Sequence, residues 1–123
     1  METVLVDARN VLRSRWPNIP EPRLVELCRR WAEREGVRAV VVFDGRAPGH
    51  GVGERAEDER TTVVGTGAES ADDWLTRAAG ELRREARPFV LVTSDRELRA
   101  RAGGGAERIV GGGAFAGELT ALG

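Results

Sequence analysis

Three apolar runs in this chain each lead into an aspartate, and that recurrence narrows what it can fold into. Thr3 to Val6 runs into Asp7, Val37 to Phe43 into Asp44, and Phe89 to Thr93 into Ser94-Asp95. The first run is continuous rather than alternating, as expected of a strand covered by helices on both faces of a parallel sheet. A carboxylate at the carboxyl end of such a strand points into the crevice where open α/β sheets bind ligands.

The segments between these runs read as helices. Leu24, Leu27, Cys28, Trp31 and Ala32 form an apolar stripe at helical spacing, with Pro22 in the first turn and Gly36 as the C-cap. Trp31 is therefore expected in the core. Ser70-Ala71-Asp72-Asp73 opens a second clear helix with Trp74, Leu75, Ala78, Ala79 and Leu82 on one face. Shorter helices are expected over Asn10–Trp16, after Asp95, and over Ala114–Leu122. Thr61–Val64 and Glu107–Val110 read as short, more polar strands, and hence as sheet edges. Right-handed crossovers and sequential adjacency then favour a three-layer α/β/α domain with a five-stranded parallel sheet in the order 3-2-1-4-5. One domain spans residues 1–123, with a flexible loop at 46–60 rich in glycine and charge. His50, the only histidine, lies in that loop and is assigned no role.

Composition removes several functions. The net charge is −1, so no global field draws the chain to nucleic acid or an anionic membrane. All 19 basic residues are arginine, which excludes mechanisms that need a catalytic lysine and ranks last a phospho-accepting aspartate domain, which normally uses one. The single Cys28 cannot form an internal disulfide, and no apolar run reaches membrane-spanning length. A cytoplasmic location and no membrane partner are expected.

The chemistry is concentrated in carboxylates. In a parallel sheet all strand C-termini share one rim, so Asp7, Asp44 and Asp95 should meet there, joined by Asp72-Asp73 from the helix after the third strand. Crowded carboxylates repel, and their pKa values rise unless a cation compensates. Oxygen donors without nearby His or Cys select Mg²⁺ or Mn²⁺. Local alternatives exist for each residue. Ser70 and Asp73 have the spacing of a capping box, as do Ser94 and Glu97, and Asp44-Gly45 could be a turn.

Four blocks in this order carry a resemblance: Val6-Asp7-Ala8-Arg9-Asn10-Val11, Val42-Phe43-Asp44-Gly45, Glu69-Ser70-Ala71-Asp72-Asp73 and Thr93-Ser94-Asp95-Arg96-Glu97-Leu98. Together they resemble NYN-domain proteins of the PIN-like nuclease superfamily, in particular the YacP-like branch, over nearly the whole chain. The resemblance implies a PIN-like fold and metal-dependent RNA cleavage. It would place catalytic, metal-holding roles on Asp7, Asp72 and Asp95, with Asp44 and Glu97 as supporting ligands. Arg9, Asn10, Ser94 and Arg96 would contact the substrate. Where the family has Gly and an aromatic residue after the first Asp, this chain has Ala8 and Arg9.

The leading expectation is thus a small Mg²⁺- or Mn²⁺-dependent ribonuclease acting on single-stranded RNA, with a homodimer allowed. The alternative is a non-catalytic RNA-binding or assembly module that retains the fold. Arg13, Arg15, Arg46 and Arg99 also lie on segments near the expected rim. Trp16, beside Arg15 and Pro17, either packs beneath the proline loop or offers a platform for base stacking.

Overall fold

A computed structural model describes residues 1–123. The chain forms β1 (Thr3–Asp7), α1 (Ala8–Arg13), α2 (Glu21–Glu35), β2 (Arg38–Phe43), β3 (Gly53–Ala56), β4 (Thr61–Gly65), α3 (Ala71–Arg84), β5 (Phe89–Val92), α4 (Arg96–Ala102), β6 (Arg108–Val110) and α5 (Gly112–Thr120). One sheet has the order β3-β4-β2-β1-β5-β6. The five strands read from the sequence lie in the expected relative order, and neighbours among them are parallel.

The sheet is nevertheless six-stranded and mixed, not five-stranded and parallel. The added strand is β3, which lies inside the segment expected to be a loop and pairs antiparallel with β4 through Arg55–Val63 and its neighbours. Thr61–Gly65 is therefore not an edge. The reason it escaped the sequence reading is physical. All four residues of β3 (Gly-Glu-Arg-Ala) are exposed, so no apolar alternation marks them. A short charged strand is also what protects a sheet edge from unwanted pairing. The approach to β3 is tight. A Cβ at Gly65 would lie 2.0 Å from the Gly51 carbonyl oxygen, so β4 must end in glycine there.

Both sheet faces are covered, which is why the central strands read as continuous apolar runs. Val4 and Val6 of β1 pack into a core with Leu24, Leu27, Cys28 and Trp31 of α2 and Phe115 and Leu119 of α5. Leu5 points the other way, towards Leu75 and Leu82 of α3 and Leu98 of α4. Trp31 is 7% exposed and meets Phe115 edge-to-face, with ring centroids 4.9 Å apart and planes at 81°. That contact ties α2 to α5. Helix α2 carries Pro in its first turn and ends at Gly36 in the left-handed conformation, φ 68°, as the sequence implied.

Glycine at position 112 is a packing requirement. A Cβ there would sit 2.2 Å from Asn10 Oδ1 and 3.0 Å from the Asn10 carbonyl oxygen, because α5 starts directly against α1. The next residue, Gly113, has only Ser14 Cβ near it, at 3.9 Å. Gly112→Ala is expected to cost about 1–3 kcal/mol through overpacking. Gly113→Ala is expected to be neutral or to add up to about 1 kcal/mol through helix propensity. Urea midpoints of the two variants check this pair, and equal destabilisation would show that α5 does not bear on Asn10.

Candidate active site

The chain leaves β1 towards β2 on one side, and β5 lies on the other, so the winding direction changes between β1 and β5. A cleft of about 370 Å³ opens at that rim. Asp7, Asp44, Asp72 and Asp95 all line it, together with Arg9, Asn10, Arg13 and Arg101.

Each carboxylate is placed by a different element. Asp7 ends β1 and is 7% exposed. Its Oδ2 accepts a hydrogen bond from Thr93 Oγ at 2.9 Å. The same hydroxyl accepts from the Asp95 backbone N–H at 3.1 Å. Asp95 is the N-cap of α4, its Oδ1 accepting from Leu98 N–H at 3.0 Å. Asp44 follows β2, and its Oδ1 accepts from the Ala71 N–H at the start of α3, 2.9 Å away. Its other oxygen lies 3.4 Å from an Arg9 guanidinium nitrogen. Asp72 stands in the first turn of α3, half-buried at the cleft wall.

The neighbouring loops are stitched together behind these groups. Asn10 Oδ1 accepts from Ser94 N–H at 2.9 Å, and Ser94 Oγ accepts from Gly112 N–H at 2.9 Å. Arg99 Nε donates to the Thr93 carbonyl at 2.8 Å. The hinge between β5 and α4 is thereby held from α1, α4 and α5 at once.

The residues expected at this site divide into two groups. Asp7, Asp44, Asp72, Asp95, Arg9 and Asn10 share the cleft. Glu97, Ser94 and Arg96 do not line it. Glu97 is exposed on α4 and reaches Asp72 only as a like charge. Ser94 is engaged by Asn10 and Gly112, and Arg96 is exposed in the first turn of α4. Ser94 is not the cap of α4, because the cap falls one residue later, on Asp95. At α3, Ser70 does cap, accepting from Asp73 N–H at 3.0 Å. The Asp73 carboxylate turns instead to Arg101, 2.6 Å away. Trp16 is 90% exposed, so it does not pack beneath the proline loop.

Arg101 is the cleft residue the sequence reading missed. It lies four residues after Glu97 and so shares its helix face. Its distance in sequence from every aspartate block hid its place beside Asp72 and Asp73.

The electrostatics follow from this crowding. Burial pushes the Asp7 carboxyl above the usual aspartate value, the Thr93 hydrogen bond opposes this, and the charges of Asp72 and Asp95 raise it further. Asp72 is raised by burial and then by Asp95, with Arg101 opposing and Glu97 and Asp44 adding. Asp73 is lowered by its hydrogen bond to Arg101. The adjacent aspartates are thus in opposite electrostatic settings.

The donor set is entirely oxygen and contains no His or Cys. No three acidic groups stand close enough to cage a bare ion among themselves. Such a set fits a hard divalent cation that keeps much of its water and binds through one or two carboxylates, as Mg²⁺ commonly does.

An α/β sheet with an acidic, arginine-rimmed cleft at its switch point defines the structural class, and the comparisons give the family. The YacP-like NYN domain model matches residues 4–121, and the chain belongs to that family. Two solved structures similar to it are of Rae1 (YacP) from Bacillus subtilis. The W164L mutant is 21% identical at a TM-score of 0.74, over 99% of this chain and 77% of that one. The other is 22% identical at a TM-score of 0.72, over 99% and 75%. At this identity the likeness establishes a shared fold. No curated protein matches the sequence.

The raised carboxyls carry a pH signature. An acid with a raised folded-state pKa binds its proton more tightly when folded, so its penalty is absent below the unfolded value of about 3.9 and complete above the folded value. In EDTA, Asp7→Asn and Asp72→Asn are each expected to raise the melting temperature at pH 7. The gain should shrink as the pH falls towards about 4. Melting scans across that range check it, and a gain independent of pH would mean that the buried, crowded carboxylate charge is not its source.

Proposed function

We propose that this chain is a metal-dependent ribonuclease that hydrolyses phosphodiester bonds of single-stranded RNA in the cleft formed by Asp7, Asp44, Asp72 and Asp95. The observation that carries this reading is the convergence of four carboxylates from four separate segments on one rim, beside three arginines. Membership of the YacP-like NYN family supports it.

Asp7, Asp72 and Asp95 would hold a hydrated Mg²⁺ or Mn²⁺, one or two of them directly and the rest through its waters, with Asp44 in support and Glu97 adding negative field from outside the cleft. When bound there, such an ion supplies an activated water and stabilises charge on the leaving oxygen. Arg9, Arg13 and Arg101 suit the phosphate of the substrate, since guanidinium groups meet phosphate oxygens in a bidentate manner. Asn10 and Thr93 hold the β1 and β5 ends at fixed separation, so that Asp7 and Asp95 face one reacting group. A net charge of −1 means that RNA is drawn by the local arginines and not by a global field. No helix is long and apolar enough to cross a membrane, and Cys28 is free and buried. A cytoplasmic setting accords with both.

One observation favours a second reading, a non-catalytic RNA-binding module. Arg9 already engages Asp44, which neutralises one of the four cleft carboxylates. Cleavage of a labelled single-stranded RNA decides between the two. The ribonuclease reading expects cleavage with Mn²⁺ or Mg²⁺ and none in EDTA. RNA retained but uncut by folded protein with metal would favour the binding module.

The two adjacent aspartates refine the test. Asp72→Asn is expected to lower the cleavage rate by roughly 100-fold or more while the fold is kept. Asp73→Asn should keep most activity, and it also keeps the helix cap, because the capping bond uses the backbone N–H. Ser70→Ala is the change that removes the cap, at about 1 kcal/mol. Rates and urea midpoints of the three variants check this assignment. A dead Asp73→Asn with an active Asp72→Asn would reverse it.

A further inference from the structure

A second, smaller pocket of about 230 Å³ opens beside the acidic cleft. The two share a wall, because Arg9, Arg13 and Asp44 line both. On the far side of that wall the chemistry changes. Leu12 and Phe43 supply apolar surface, and Asn18 and Glu21 supply polar groups. Glu21 stands in the first turn of α2 and is exposed. It enters none of the chain's ion pairs. Asn18 braces the connection between α1 and α2. With its amide oriented to satisfy both, it donates to the carbonyls of Leu12 at 3.1 Å and Arg15 at 2.7 Å. The pocket wall is thereby fixed by main-chain contacts.

We propose that this pocket is a nucleobase subsite, selective for guanine, for the nucleotide next to the phosphate held in the acidic cleft. This rests on the RNA-directed reading of that cleft. Two features carry it. The first is continuity. A phosphate between Arg9 and Arg13 leaves its own base one short step from the pocket, since the same two side chains border both spaces. The pocket lies below the roughly 300–1,000 Å³ of drug-sized sites and has room for one ring system. The second is donor–acceptor matching. A free carboxylate only accepts, and it can accept two parallel hydrogen bonds. Among the RNA bases, guanine alone presents two adjacent donors on its Watson–Crick edge, the N1–H and the 2-amino group. Adenine and cytosine present one amino donor beside an acceptor, and uracil one N–H between two acceptors. Single-stranded RNA leaves that edge free to be read. Half-buried Leu12 covers the apolar part of the base, with the nearly buried Phe43 behind it.

The experiment uses the four 5′-nucleoside monophosphates as probes, titrated into ¹⁵N-labelled protein in EDTA and followed by amide shifts. Guanosine monophosphate is expected to move the signals of Leu12, Asn18 and Phe43, and to bind about tenfold or more tightly than the other three, the discrimination of one good bidentate contact. Glu21→Gln, an exposed substitution whose fold the same spectra verify, should erase the preference, because the amide offers one acceptor and an opposing donor. Equal binding of the four nucleotides would overturn the subsite. So would a guanine preference that survives Glu21→Gln, or shifts confined to residues outside the pocket. Cleavage sites mapped on a mixed-sequence RNA separate this from the parent reading. A fixed guanine beside the cut supports both. Cleavage without nucleotide preference removes the subsite and leaves the nuclease. Selective nucleotide binding without any cleavage keeps the subsite and removes the nuclease.

Discussion

The hydroxyl of Thr93 is the joint on which the acidic rim depends. It donates to the Asp7 carboxylate and accepts from the Asp95 N–H, so one fully buried side chain ties a carboxylate to the main chain of another aspartate 88 residues away in sequence. Its setting makes that bond matter. Asp7 is nearly inaccessible to water, and a buried carboxylate without partners is costly. The parallel pairing of β1 with β5 brings the two ends together, and the hydroxyl turns that proximity into a defined geometry. Asn10 and Ser94 repeat the device one layer out, and the glycine at 112 allows α5 to approach closely enough to complete it.

Charge is distributed with the same economy. The chain is almost neutral, yet one cleft gathers four aspartates and three arginines. The arginines are not equivalent. Arg9 is paired with Asp44 across the cleft, Arg101 is held by Asp73 on its outer lip, and Arg13 borders both the cleft and its smaller neighbour. Asp72 and Asp73 show how far local placement controls chemistry. Adjacent residues on a helix point about 100° apart, and here one faces crowded carboxylates while the other faces a guanidinium.

Much of this was legible in the sequence because it rests on strong, local signals. The continuous runs at Thr3–Val6 and Phe89–Thr93 mark strands buried on both faces, and the burial patterns of β1 and β5 agree. The aspartates after the strands could be placed on one rim from parallel topology alone. What escaped the reading lacked such signals. Strand β3 is exposed along its whole length, so its pairing is set by β4 and by the close approach of the Gly51 carbonyl to Gly65 rather than by its own pattern. The cap of α4 fell on Asp95 rather than Ser94, a choice made by the contacts that hold Ser94 to Asn10 and Gly112. Arg101 reaches the cleft only because α4 packs beside α3, which no spacing within α4 reveals. Of the two readings of Trp16, packing beneath the proline loop and base stacking, its exposure removes the first.

We propose that these carboxylates act as one cation-binding centre. Crystals soaked in Mn²⁺ and measured at its anomalous edge test it most directly. An anomalous peak is expected in the cleft within coordinating or water-bridged reach of Asp7, Asp72 or Asp95, with loss of that peak in Asp72→Asn crystals treated alike. A cleft without a peak at saturating Mn²⁺, or a peak bound only elsewhere on the surface, would contradict it.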